Sequence, residues 1–201
     1  KCKLTLPPLL DSDRLNVTHL TVESPDGRRE TRRPSAKAYL QLVAATNYKQ
    51  RTRKMTEYYH ADRLNYAVVG TPNRLEFDQG FFVKLGDGAA DIKPIAHLYK
   101  TQVYALAARV GVIEEILRRP PTTDTFSLPQ TQEEFYFALP YDKMDLCLYA
   151  ATHGVAAADV GRALDLTDEQ VERVFRDVRA KRRAADYLRC PPLTVEPIVA
   201  E

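Results

Sequence analysis

The chain has 201 residues and a mass of 22.8 kDa, enough for one sizeable core or a domain with an appendage, and too little for two full domains. Lys and Arg number 29 against 27 Asp and Glu, so the net charge of +2 supplies no basic excess that would point to nucleic acid. No apolar run approaches the roughly 20 residues that cross a bilayer, Lys1-Cys2-Lys3 opens no signal peptide, and Cys2, Cys147 and Cys190 lack the spacing of a disulfide framework or zinc site. A soluble, cytoplasmic protein with reduced thiols is expected, touching neither membrane nor nucleic acid. The initial Lys is compatible with the later part of a longer polypeptide.

From Leu15 to Arg33, Val17, Leu20 and Val22 alternate with polar residues and Ser24-Pro25-Asp26-Gly27 follows, which predicts a polar β-hairpin appended to the main fold. Ser35 caps a helix carrying Tyr39, Leu40, Leu42 and Val43. Asn47, with Gln50 three residues on, offers a second start for Tyr48 to Arg63. There Met55, Tyr58, Tyr59 and Ala61 supply the apolar positions, while Arg51, Arg53 and Lys54 stay polar. Tyr66-Ala67-Val68-Val69-Gly70, a short apolar run between helical patterns, has the look of a buried parallel strand.

Thr71 to Pro94 reads as loops with one short helix, and its Phe77, Phe81 and Phe82 argue against disorder. Helices are expected over Leu98 to Val110 and Val112 to Leu117, with Pro120-Pro121 as a stop and an irregular segment to Pro140. Three further helices follow: Tyr141 to His153, Ala156 to Leu164, and Thr167 to about Leu188, the last opened by a Thr167/Gln170 capping box. The pattern predicts an α/β architecture with a helical tail. In outline, residues 1–34 form an N-terminal segment with the hairpin, 35–140 an α/β ligand-binding region, and 141–201 a helical region of the same domain.

Ligands of open α/β sheets sit beyond the carboxyl ends of the strands, which places Gly70 to Glu76 where a site belongs. Thr71 offers a hydroxyl there and Glu76 a carboxylate. With Lys84 and Asp87 in the following loop, Glu76 suits a hard cation such as Mg²⁺ bridging phosphates. On pattern alone the plainer reading, a turn followed by a solvated Glu76, is favoured. The glycines of Lys84-Leu85-Gly86-Asp87-Gly88-Ala89-Ala90-Asp91 would let backbone amides approach a ligand, although an ordinary surface loop is the commoner outcome. Lys100 opens a helix, where a lysine opposes the dipole unless an anion is held there. The basic run from Arg173 to Arg183 reads first as a solvated helix face. Together with Ala156 to Leu166 it has the outline of a helix-turn-helix, a nucleic-acid-binding alternative to the enzyme reading developed next.

Five segments in order carry a family resemblance: Gln50-Arg51-Thr52-Arg53-Lys54-Met55; Val68-Val69-Gly70-Thr71-Pro72-Asn73-Arg74-Leu75-Glu76; Gly80-Phe81-Phe82-Val83-Lys84 through Asp91; Leu98-Tyr99-Lys100-Thr101-Gln102; and Pro120-Pro121-Thr122-Thr123-Asp124. Together they resemble the NAD⁺ synthase family, densely from about Asn47 to Asp124 and more thinly to Arg183. The resemblance implies an adenine-nucleotide α-hydrolase-like fold, a homodimer, and ATP-dependent amidation of deamido-NAD⁺ through an adenylated intermediate with ammonia as nucleophile. It implies that Arg51, Lys84 and Asp91 bind deamido-NAD⁺, that Thr71, Lys100 and Thr122 bind ATP, and that Glu76 holds Mg²⁺, with Lys100 and Glu76 as the catalytic pair. Lys181 falls in the family's His-Lys-Arg triplet, with Ala180 in place of the histidine. The family's Ser-Gly-Gly-x-Asp-Ser phosphate loop does not occur in these residues, so that loop and the first strands of the parallel sheet are expected upstream of Lys1. Without them a catalytically inactive dinucleotide-binding chain is a further alternative.

Overall fold

The computed structural model describes residues 1–7, 9–10, 18–123 and 125–196. Strands β1 (Cys2–Thr5), β2 (His19–Glu23) and β3 (Arg29–Arg32) form an antiparallel sheet in the order β1-β2-β3. Register is set by Leu4 opposite Leu20 and by Leu20 opposite Arg32. The expected turn closes β2 onto β3: the Gly27 amide donates to the Ser24 carbonyl at 3.0 Å, and Gly27 takes φ 82°. Leu15 and Val17 of the expected hairpin lie outside the described residues.

The sheet is more than an appendage. Its first strand is stitched to the segment before residue 140: the Cys2 amide donates to Ser127 Oγ at 2.8 Å, the Leu128 amide to the Cys2 carbonyl at 3.0 Å, and the Leu6 amide to the Glu134 carbonyl at 3.2 Å. Leu4 is the residue this sheet buries, and its carbonyl accepts from Gln130 Nε2.

The two expected helices before residue 65 are one continuous helix, α1 (Ala36–Leu64), capped by Ser35 Oγ accepting from the Ala38 amide at 3.2 Å. Asn47 starts nothing, because neither Gly nor Pro interrupts the span and a second cap has no break to serve. The polarity departs from expectation at three positions, while Ala61 is buried and Arg51 and Arg53 are exposed as expected. Lys54 is buried, with its amine on Glu57, whereas Met55 and Tyr59 are exposed. The loop that follows Phe82 covers this side of α1, and a Cβ on Gly86 would come within 3.2 Å of Gln50 Cβ.

The expected strand at Tyr66–Gly70 is reduced to a single parallel bridge, Val69 with Ile92. The Gly70 amide donates to the Ile92 carbonyl at 2.8 Å and the Asp91 amide to that of Val68 at 2.9 Å. No other described segment pairs with either strand-like piece, so the ladder stops at one bridge. Beyond it comes α2 (Arg74–Gln79), with a full Asn73/Glu76 capping box, then α3 (Lys100–Arg109) and α4 (Glu114–Leu117). The segment before residue 140, expected to be irregular, contains a π-helical turn at Glu133–Phe137.

The C-terminal helices lie close to their expected places: α5 (Tyr141–His153), α6 (Ala157–Leu164) and α7 (Asp168–Arg189). Met144, Cys147 and Leu148 of α5 pack with Val160 and Leu164 of α6, and with Val171, Val174 and Val178 of α7. Each such side chain contributes about 1.5–3 kcal/mol when fully buried. Burial also pushes the Cys147 thiol up to about 11, so this cysteine behaves as a core hydrophobe. Leu75 of α2 and Phe137 of the π turn enter the same core, which is how the helical tail fixes the elements that carry the site.

Candidate functional site

A cavity of about 390 Å³ lies between α1, the α2 loops and the 122–136 segment. Of the residues expected to bind ligand, Thr71, Glu76 and Thr122 line it, together with Asp87. Its walls are rich in rings: Phe81 stacks on Tyr136 at 4.6 Å, and Phe126 meets Phe135 edge-on at 5.7 Å. Rings so arranged offer flat apolar surface to a planar group.

Glu76 is not the solvated side chain that pattern alone favours. Burial raises its carboxyl above the usual range, and Asp87 adds to the rise; the Asn73 amide, Lys100 and Gln132 pull the other way. Oε2 accepts from the Asn73 amide at 2.8 Å, closing the capping box. The local sequence therefore places a half-desolvated carboxylate on a rigid turn facing the cavity.

Lys100 reaches the same region without lining the cavity. Its amine lies 5.4 Å from the Tyr141 ring centroid and 5.6 Å from that of Tyr104. Tyr141 donates to Gln132 Oε1, Gln132 is near enough to Glu76 to lower its carboxyl, and the Lys100 amine approaches the Tyr141 ring, so Glu76, Gln132, Tyr141 and Lys100 lie in a row of neighbours. Burial and the charge of Glu76 push the Tyr141 phenol well up, which keeps it a donor.

The anion expected at the start of α3 is supplied from within the chain. The buried carboxylate of Asp145 accepts from the Thr101 amide at 2.7 Å and from the Lys100 amide at 3.2 Å. The helix dipole is thereby satisfied by α5, and Lys100 is left with its side chain as the available cation.

The other expected residues stand elsewhere. Lys84 Nζ donates to the carbonyls of Tyr187 and Cys190, both at 2.9 Å, and lies over the Tyr187 ring, so it closes the end of α7. Arg51 Nε donates to the Lys84 carbonyl at 3.1 Å. Asp91 accepts from the Val68 amide at 2.7 Å and from the Tyr58 hydroxyl at 3.4 Å, steadying the parallel bridge. Lys181 is buried 2.7 Å from Asp177 and donates to the Tyr136 carbonyl at 2.7 Å, so it supports the cavity wall from behind.

Nor do the loop glycines cradle a ligand. The amides of Gly86 and Gly88 both turn onto the Val83 carbonyl, at 2.9 and 3.1 Å. A Cβ on Gly88 would meet Phe82 at 2.4 Å, so packing explains the glycine there. The basic run of α7 is likewise not simply solvated: Arg182 forks onto Asp78, and Arg173 donates to the Leu10 carbonyl. Committing these cations internally counts against the helix-turn-helix alternative.

Sequence reasoning missed Gln132, Tyr141 and Asp145, and also Thr123, whose hydroxyl is buried in the cavity wall without a partner. The available signal was polar residues recurring within an aromatic-rich stretch. Among the described residues no cluster of three His, Cys, Asp or Glu forms a metal cage. Mg²⁺ requires less, since it retains waters and binds through one or two carboxylates plus phosphates. Glu76 beside Asp87 fits such a half-site.

A carboxylate-bearing cavity beyond a parallel bridge, backed by a helical bundle, makes this a mixed α/β protein with a candidate site in that cavity. The profile of the NAD synthase family matches residues 13–185, and the chain belongs to that family. The NH₃-dependent NAD⁺ synthetase of Mesorhizobium japonicum is 66% identical over 193 residues, covering 96% of this chain and 60% of that protein. The enzyme of the same name from Rhizobium meliloti is 61% identical, covering 98% and 59%. The chain thus spans about 60% of the length of these curated relatives. Among solved structures, NMN synthetase from Francisella tularensis matches at TM-score 0.61 and 28% identity over 76% of this chain and 56% of that one. An NH₃-dependent NAD synthetase from Campylobacter jejuni matches at TM-score 0.56 and 24% identity, covering 77% and 56%, a likeness of fold.

Proposed function

We propose that this chain carries the substrate-activating part of an NAD⁺ synthase. In this reaction the nicotinate carboxylate of deamido-NAD⁺ attacks the α-phosphorus of ATP and expels pyrophosphate. Ammonia then attacks the acyl adenylate and displaces AMP, leaving the amide. The observation that carries the reading is the row Glu76–Gln132–Tyr141–Lys100 beside a ring-lined cavity, in a chain so similar to the synthetases named above.

Lys100 offsets charge on the ATP phosphates, and the hydroxyls of Thr71 and Thr122 orient the nucleotide at the cavity rim. Glu76, with Asp87, is the place for Mg²⁺, which when bound supplies Lewis-acid screening between carboxylate and triphosphate. Arg51, Lys84, Asp91 and Lys181 are assigned to the deamido-NAD⁺ side. Arg51 and Lys84 together shape the 83–88 loop, and Lys181 supports Tyr136. The Val69–Ile92 bridge is read as one rung of the parallel sheet of an adenine-nucleotide α-hydrolase-like fold, and the cytoplasm as its compartment.

The assembly is read as a homodimer, built on α1. Leu40, Tyr48, Met55 and Tyr59 are 66, 72, 72 and 63% exposed, and their helical spacing places them within an arc of about 100°. A second copy of this row is a self-complementary partner for it.

The test is deamido-NAD⁺ binding, and NAD⁺ and AMP formation with ATP, Mg²⁺ and ammonium, for the wild type, Lys100→Ala and Glu76→Gln. Saturable binding is expected, with turnover lost in both variants. A chain that binds neither deamido-NAD⁺ nor ATP overturns the reading. The likeness to an NMN synthetase supports a second reading, in which the chain makes NMN; whether NMN competes with deamido-NAD⁺ for the same chain tests it.

A further inference from the structure

A cleft of about 490 Å³ opens where Arg74, Asp78 and Ala96 face Arg182, Asp186 and Arg189 of α7. Residues 74 and 78 are one helical turn apart and Glu76 lies between them, so this is the side of α2 away from Glu76.

The charges in the cleft do not balance. Arg182 forks onto Asp78, Nε to Oδ1 at 2.6 Å and Nη2 to Oδ2 at 2.9 Å. Arg189 bonds Asp186 at 3.0 Å and the carbonyls of Phe77 and Asp78 at 2.9 Å. Both carboxylates of the cleft are therefore held by arginines of α7, and Arg74 pairs with neither. Its guanidinium rests over the Tyr99 ring, 5.2 Å from the centroid, and its Nε is buried with no hydrogen-bond partner. The Tyr99 hydroxyl is also buried without a partner. Lys93 adds a cation over the ring of Phe77, another residue lining the cleft.

We infer that this cleft is a second anion site, taking a phosphate group on Arg74. A guanidinium fork matches the oxygens of phosphate, whereas a halide would leave most of the space and the directed donors unused. Arg182 and Arg189 hold the walls in place through contacts that phosphate binding at Arg74 leaves intact. The phosphate is either inorganic or the monoester of a nucleotide. The site stands independently of the synthase reading.

The experiment is calorimetric titration of the full chain with inorganic phosphate and, separately, with AMP, in chloride-free buffer. Wild type, Arg74→Gln, Ala96→Glu and Lys100→Ala are compared. Saturable binding of at least one probe is expected, weakened at least tenfold in Arg74→Gln and in Ala96→Glu, and retained in Lys100→Ala. The two cleft variants disturb different residues, so a folding defect in one leaves the other as the test. If phosphate saturates the site, the group alone is the ligand; if only AMP does so with this pattern, the ligand is a nucleotide monoester. Absence of Arg74-dependent binding by both probes overturns the site, as does binding that Lys100→Ala abolishes, which assigns it to the main cavity.

Discussion

At the residue scale, Glu76 sets stability against chemistry. Burial holds its carboxyl above the ordinary range in the folded chain. Its contribution is therefore full below the unfolded value and is lost as pH rises through the folded one. Glu76→Gln keeps an acceptor for the Asn73 amide while removing the charge. The variant should be at least as stable as wild type at pH 7, with the difference between them shrinking toward pH 4 in urea titrations. It should also lose turnover about a hundredfold or more. A variant less stable at pH 7 and equally active contradicts this account. Asp145 matters through the two hydrogen bonds that it accepts at the start of α3. Asn in its place offers one acceptor where the carboxylate serves two amides, so Asp145→Asn should cost about 2 kcal/mol, read as a lower urea midpoint at unchanged slope. Lys100→Ala should leave that midpoint nearly unmoved while abolishing activity.

At the element scale, two glycines with the same backbone hand separate conformational strain from packing. Gly27 has φ 82° and open space within 4 Å of where a methyl group would sit, whereas Gly80 has φ 77° and its Cβ would lie 2.5 Å from Ala185 Cβ. Gly27→Ala should cost about 1 kcal/mol. Gly80→Ala adds overpacking between α2 and α7 and should cost about 3 kcal/mol, a drop in Tm of roughly 6–12 °C against 2–4 °C. Equal drops would mean that the α2–α7 contact yields freely. The helices were the most legible elements, since Ser35 and Thr167 carry their own caps and those two starts fall where the residues indicate, whereas the Asn73 cap of α2 emerges only in the structure. Asn47 misled because a good cap residue inside an unbroken helical span has nothing to cap. The single-rung bridge at Val69 was legible as an extended run but not in its extent, because pairing depends on distant segments. For the site, Thr71, Glu76 and Thr122 were legible and do share a cavity. Asp145 was not, because its role at α3 depends on how two helices cross about 45 residues apart.

At the scale of the whole molecule, the proposed homodimer places the exposed row on α1 at the contact between copies. Met55→Glu places a charge at its centre and should convert a dimer to a monomer in sedimentation equilibrium. It should also remove any dependence of Tm on protein concentration. Because Met55 is exposed in the single chain, the far-UV spectrum should be unchanged and the monomer's own stability should move by no more than about 0.5 kcal/mol. Persistence of the dimer in this variant would show that the contact lies elsewhere.

The π-helical turn at Glu133–Phe137 gives chain length itself a role. A π turn holds one residue more than an α turn, and here the wider turn lets neighbouring side chains face different surroundings: Tyr136 lines the cavity while Phe137 is wholly buried in the core. Removing any single residue from this turn would wind it tighter and swing one ring into the other's place. The spacing of this stretch is thus a counting constraint, one that tolerates exchange of letters far more readily than the loss of one.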